Sequence, residues 1–156
     1  MDASQASVLQ LGISSSAFEN GTLIPSLYTC DGEDIIPPIT VSGIPDGAKT
    51  LALVVDDPDS PTGTWDHWVI FNIRPDASFK EGKEPKGVRG KNSWGRLGYG
   101  GPCPGQGQHR YFFKVYALDT ELDLEEGSTK KDLESALTGH ILAQGELMGR
   151  YERERK

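Results

Sequence analysis

Alternating apolar residues in three short runs set the tightest limit on how this chain folds. Thr50 to Asp56, Trp65 to Ile73 and Arg110 to Leu118 are rich in Val, Ile, Phe, Trp and Tyr, and clusters of Gly, Pro or Asp bound each run. Branched and aromatic side chains suit a pleated surface, so these runs read as strands. Weaker strand signals cover Val8 to Ile13, Ile39 to Ser42, and Leu142 to Arg150, the last interrupted by Gly145 and Gly149. One helical signal follows Ser128. Thr129 is placed to cap it, Asp132 holds the third helical position, and Leu133, Ala136, Leu137 and His140 recur at helical spacing, with Gly139 as the stop and His140 turned to the core. Nineteen glycines and ten prolines in 156 residues weaken helix interiors and exclude a bundle. The expected molecule is mainly β, a single domain over 1–156 with a charged tail at about 151–156.

The net charge of −7 argues against a nucleic-acid binder, because phosphate backbones select clustered Lys and Arg. Its distribution is uneven. Residues 1–73 carry one basic side chain, Lys49, against ten acids, whereas 74–96 carry seven basic residues and three acids. Gly, Pro and both charge signs are mixed through that second stretch, so a solvated connection is the simpler reading. From Arg74 to Gly107 no clean period is visible, and the segment reads as one long irregular connection. No apolar run is long enough for a membrane-spanning helix. The first residues, MDASQASVLQ, lack the basic and apolar regions of a secretory signal, so a cytoplasmic location is expected. Two cysteines, Cys30 and Cys103, are too few for a disulfide framework, although a single pairing stays open.

Strand alternation exposes polar groups in apolar rows. Side chains two apart share a face, so Leu51, Leu53 and Val55 point to a core and Asp57 extends their row. On the same logic Trp65, His67, Val69, Phe71 and Ile73 share a face, as do His109, Tyr111, Phe113 and Val115. Each buried polar group costs on the order of 1–3 kcal/mol when unpartnered. Mutual satisfaction solves this. Meeting at one end of the sheet, Asp57, His67 and His109 form a pocket lined by Trp65, Trp68 or Tyr111. The alternative is that each histidine is an ordinary core residue bonded to a backbone carbonyl.

Between these strands lies GPCPGQGQHRY, Gly101 to Tyr111, whose glycines let backbone N–H groups approach an anion. It lacks the Lys and Ser/Thr of a phosphate-binding P-loop. In DDPDSP, Asp56 to Pro61, the Asp57 and Asp59 spacing suits a hard cation, but no third close acid completes a ligand set, so neither metal nor cofactor is expected. No nucleophile elbow is present.

DDPDSP, WDHW and GPCPGQGQHRY in that order resemble the phosphatidylethanolamine-binding protein family, also called Raf-kinase-inhibitor-like proteins. YTCDG at Tyr28 to Gly32, GKNSWGRLGYGGPCP and GHILAQGELMGRYER resemble its shorter prokaryotic branch, and the likeness covers nearly all the chain after about Phe18. The resemblance implies an antiparallel Greek-key β-sandwich with one or two short peripheral helices and an anion pocket at one end. Position by position, the pocket residues fall on Asp57, Asp59, His67, Gly101, His109 and Tyr111, with Cys103 in the same loop. The resemblance also implies contact or a disulfide between Cys30 and Cys103. The implied function is binding of a small anionic or phosphorylated ligand such as a phospholipid headgroup, and not catalysis. Two alternatives are inhibition of a serine protease or regulation of a signalling enzyme such as a kinase through exposed loops, and acid–base hydrolase or lyase chemistry at His67, His109 and Asp57. By analogy with relatives, a homodimer is a further expectation.

Overall fold

The computed structural model describes residues 8–153. In chain order the strands are β1 (Leu9–Gln10), β2 (Gly12–Ser14), β3 (Thr40–Ser42), β4 (Thr50–Asp57), β5 (Trp65–Ile73), β6 (Val88–Arg89), β7 (His109–Leu118) and β8 (Ile141–Tyr151). A 3-10 turn covers Ser26–Tyr28, and the helix α1 covers Lys130–Leu137. Six strands form one sheet in the order β1-β8-β7-β4-β5-β6, and β2 and β3 form a second, antiparallel pair. Strands β4, β5 and β6 run as a meander, and β7 returns beside β4 after the long connection, which is a Greek key. The fold is therefore the expected β-rich one. One detail is added: β1 lies parallel to β8, so the large sheet is mixed.

The large sheet is buried on both faces, as the unbroken burial of β4 demonstrates. On one face Leu51, Leu53, Val55, Trp68, Ile70, Phe113 and Val115 pack under the loops and the β2–β3 pair. On the other, Ala52, Val54, Val69 and Phe71 pack against Leu133 and Leu137 of α1. Full burial of a large apolar side chain such as Trp68 or Phe71 contributes about 1.5–3 kcal/mol. The helix starts where its sequence predicts. Thr129 accepts from the Asp132 N–H, and the Asp132 carboxylate accepts from the Thr129 N–H. That reciprocal box satisfies two N–H groups that the first helical turn leaves open. Among the described residues no helix is long and apolar enough to cross a membrane.

Four expectations need correction. The Val8 to Ile13 run divides into β1 and β2, which join different sheets, with buried Leu11 at the break. His140 does not face the core: it is half-exposed, and its Nδ1 lies 2.8 Å from Asp119 Oδ1. The row proposed for β5 is broken by a bulge. Val55 pairs with Trp68 and Asp56 pairs with Asp66, which leaves His67 without an opposite residue. An extra residue resets side-chain alternation, so Trp65, His67 and Trp68 face one side while Val69 and Phe71 turn to the helix. A second irregularity opposite Ala52 contains Asn72, at φ 56°, and returns Ile73 to the first face. The C-terminal tail begins later than expected, because Tyr151 belongs to β8 and is buried. Residues 154–156 of that tail lie outside the described residues.

Candidate functional site

Three strand ends converge at one edge of the large sheet: the C-terminal end of β4 and the N-terminal ends of β5 and β7. Asp57 pairs with Trp65, and Asp56 pairs with Phe112, so the next residues in register bring Asp57 beside Tyr111. A cavity of about 220 Å³ opens there, lined by Asp57, Ser60, Pro61, Trp65, His67, Trp94, Cys103, Pro104, Gly105, His109 and Tyr111. No lysine or arginine is in that lining, so any attraction for an anion rests on imidazole, hydroxyl and backbone groups.

Asp57 organises the floor. Its Oδ2 accepts from His109 Nδ1–H at 2.7 Å, and its Oδ1 accepts from the Asp59 N–H at 2.8 Å, which fixes the turn through Pro58. The His109 and Asp57 side chains are only 9% and 5% exposed. On its other side, His109 Nε2–H donates to the Gln106 carbonyl at 3.1 Å. Carboxylate and carbonyl are both acceptors. The pattern is complete only when both ring nitrogens carry hydrogen, which is the cationic form.

His67 is placed by the bulge. Its Nδ1–H donates to the Gly100 carbonyl at 2.8 Å, while the Gly100 N–H donates to the His67 carbonyl at 3.0 Å. Burial lowers the His67 pKa from its ordinary 6.5, opposed by the Gly100 hydrogen bond and by the Asp57 charge. In the neutral ring Nδ1 is the donor, and Nε2 remains as an acceptor for an occupant of the cavity.

Tyr111 stands between these rings, stacked 6.4 Å from His109 and edge-on at 5.2 Å to His67. The residue is fully buried, and its hydroxyl makes no well-formed hydrogen bond. Burial raises the Tyr111 pKa strongly, and the nearby Asp57 and Asp59 charges push it the same way, so the phenol keeps its proton. The Asp57 carboxylate and the Cys103 N–H lie near it without making a hydrogen bond of good geometry. At the mouth, Trp94 meets Trp65 edge-on at 5.6 Å and His67 at 5.0 Å.

Of the remaining expected residues, Asp59, Gly101 and Trp68 lie outside the cavity lining, and Cys103 is part of it. Asp59 does not line the cavity: it accepts from the Arg110 N–H, Nε–H and Nη2–H, each at 2.9 Å. The Arg110 hydrogen bond holds its carboxyl down at about 2. Gly101 is also outside the cavity, and its N–H donates to Asp34 Oδ1 at 2.8 Å. A Cβ there would sit 2.2 Å from the Tyr28 carbonyl oxygen, so a glycine is what lets these two segments pack this closely. Trp68 is fully buried and donates from Nε1 to Glu84. Cys103 lines the cavity and forms a disulfide with Cys30, 73 residues away. Alternation overlooked Trp94, which is in a loop, and the carbonyls of Gly100 and Gln106, which have no side-chain signal. The tryptophan in GKNSWGRLGYGGPCP was the available hint.

Comparisons with known proteins agree with this architecture. The family model described as phosphatidylethanolamine-binding protein matches residues 14–152. A UPF0098 protein of Methanothermobacter thermautotrophicus is 51% identical over 150 residues, covering 92% of this chain and 99% of its own. The crystal structure of a phosphatidylethanolamine-binding protein homolog, CT736, from Chlamydia trachomatis shares 44% identity. It superposes with a TM-score of 0.90 and covers 93% of this chain and 99% of that one. The E. coli protein YbcL, described as a member of the mammalian family, shares 30% identity with a TM-score of 0.84 over the same shares of both chains. With a matching family model over most of its length and a relative at 51% identity, this chain belongs to the phosphatidylethanolamine-binding protein family.

Proposed function

We propose that the cavity binds a small anion, best matched by a phosphate or phosphomonoester group such as that of a lipid headgroup. The observation that carries this reading is the buried Tyr111 hydroxyl, a protonated donor that makes no hydrogen bond of good geometry and lies beside both imidazoles. An unpartnered buried hydroxyl costs about 1–3 kcal/mol, and an incoming phosphoryl oxygen removes that cost. Asp57 holds the His109 ring in orientation at the cavity, and neutral His67 offers Nε2 to the P–O–H of a singly ionised phosphate. The set therefore favours an occupant with both acceptor oxygens and one hydrogen.

Nothing in the cavity is an activated nucleophile, so binding is the better-supported role than hydrolysis. Calorimetric titration with inorganic phosphate and with O-phosphoethanolamine tests it. Saturable binding that His109→Ala weakens at least about tenfold supports the reading, as charge-assisted bonds of this kind are worth about 1.5–3 kcal/mol. Absence of binding to either compound at acidic and neutral pH overturns it.

A further inference from the structure

One feature of the site is unnecessary for holding an anion and acts against it. His109 Nε2, the ring nitrogen not used by Asp57, is covered by a carbonyl of the chain's own loop, Gln106. Among the described residues, that is the single hydrogen bond between residues 104–108 and the rest of the molecule. Pro104 is buried, but 105–108 are exposed. Gly105 and Gly107 flank Gln106, and a Cβ built on either meets nothing within 4 Å. Crowding does not demand these glycines. They leave the strap free to turn, and Gly107 uses that freedom at φ +71°.

The strap has two ends. One is His109, fixed in β7, and the other is Cys103, tied to Cys30. Upstream of Cys103 the backbone is held independently: Gly101 N–H bonds Asp34, and Cys30 N–H donates to the Pro102 carbonyl at 3.1 Å. Breaking the bridge removes the covalent tie at residue 103, so that only the packing of Pro104 and the Cys103 N–H beside Tyr111 stand between that foundation and the exposed residues 105–108. Cys103 is exposed at the cavity wall and Cys30 is half-buried, so a reductant reaches the bridge from solvent.

We propose that Cys30–Cys103 is the redox-sensitive hinge of this strap, which keeps the Gln106 carbonyl on His109 while oxidised and releases it on reduction. The reductant is a dithiol. Its thiolate attacks the Cys103 sulfur, the S–S bond breaks and Cys30 leaves as a thiolate that takes up a proton. The second thiol then attacks the mixed disulfide and expels Cys103, so the reductant becomes the disulfide and two electrons and two protons end on the cysteines. Because Gln106 and a phosphoryl oxygen compete for the same N–H, reduction tightens phosphate binding. That consequence rests on the anion reading above, whereas release of the strap does not.

Histidine nitrogen NMR of the full chain, oxidised and in dithiothreitol, separates the two. The expected result is a His109 Nε2–H signal protected from solvent exchange when oxidised and exchanging at least about tenfold faster when reduced. Phosphate Kd should fall by at least about threefold in the reduced protein, the effect of opening a latch that is mostly closed. Gly107→Ala, which opposes the turn on an exposed segment with the bridge intact, should lose the same protection. Equal protection in the oxidised and reduced protein overturns the hinge, and full protection in Gly107→Ala overturns the assignment of Gln106 as the cover. Lost protection with phosphate binding unchanged or weaker overturns the competition. Lost protection with phosphate binding in neither state leaves the hinge standing and defeats the anion reading.

Discussion

Asp56 and Asp57 are adjacent in sequence and serve opposite faces of one sheet. Asp57 accepts from His109 in the cavity, while Asp56 Oδ2 lies 3.1 Å from both Lys114 Nζ and Lys130 Nζ. Lys130 also reaches Asp66 at 3.3 Å, which ties the start of α1 to β5. Substituting each aspartate by asparagine should separate scaffold from site. Asp56→Asn leaves two lysines short of a buried carboxylate and should cost about 3 kcal/mol in urea unfolding with unchanged phosphate affinity. Asp57→Asn should weaken phosphate binding at least about tenfold through loss of the charge that supports His109, at a cost of about 1–3 kcal/mol in stability.

Tyr111→Phe should behave unlike an ordinary core deletion. The ring stays and only an unpartnered hydroxyl leaves, so the unliganded protein should be as stable as wild type or more so. Phosphate affinity should drop by about fivefold or more, the worth of one hydrogen bond. A thermal melt with and without phosphate reads both effects in one experiment.

Acid should weaken the fold through His67. Its folded pKa lies below the 6.5 of the free side chain, so the unfolded chain takes up the proton first. The stability linked to this group is fully present above pH 6.5 and is lost as pH falls through the lowered folded value. His67→Gln should flatten that part of the pH profile, measured as the urea midpoint. Phosphate binding should show the opposite trend with pH. Raising pH from about 5.5 to about 8.5 removes the P–O–H of a phosphomonoester, whose pKa is near 6, and with it the hydrogen that His67 Nε2 accepts.

Reduction of Cys30–Cys103 should lower unfolding stability by about 2–4 kcal/mol, because the bridge closes a long loop in the unfolded chain. The sequence separation of 73 residues places it in the range where that constraint is substantial. Parallel urea titrations with and without dithiothreitol measure the difference. Equal midpoints would mean that the unfolded chain is already confined.

Much of this was legible because strand period and residue type are local properties. The β5 limits agree with the apolar run, β4 and β7 each extend it by one residue, and Thr129 and Asp132 form the expected cap. Asp57, His67, His109 and Tyr111 were found as polar intrusions in apolar rows, and they line one cavity. What failed was phase. Nothing in the letters WDHW announces that His67 has no cross-strand partner, so alternation assigned Val69 and Phe71 to the wrong layer. The packing role of Gly101 was hidden for a related reason. Its role comes from the approach of Tyr28 and Asp34, some seventy residues away in the chain, and composition cannot reveal such a neighbour.

The bulge at His67 also divides β5 into two mechanically distinct halves. Beyond it, Val69 and Phe71 follow a frame fixed by the helix, while Trp65 and His67 follow one fixed by the cavity. Repacking under α1 can therefore proceed without rotating the imidazole out of the cavity. Deleting a single residue between Trp65 and Val69 would merge the two frames and force one set of side chains inside out, so length here is more tightly constrained than identity.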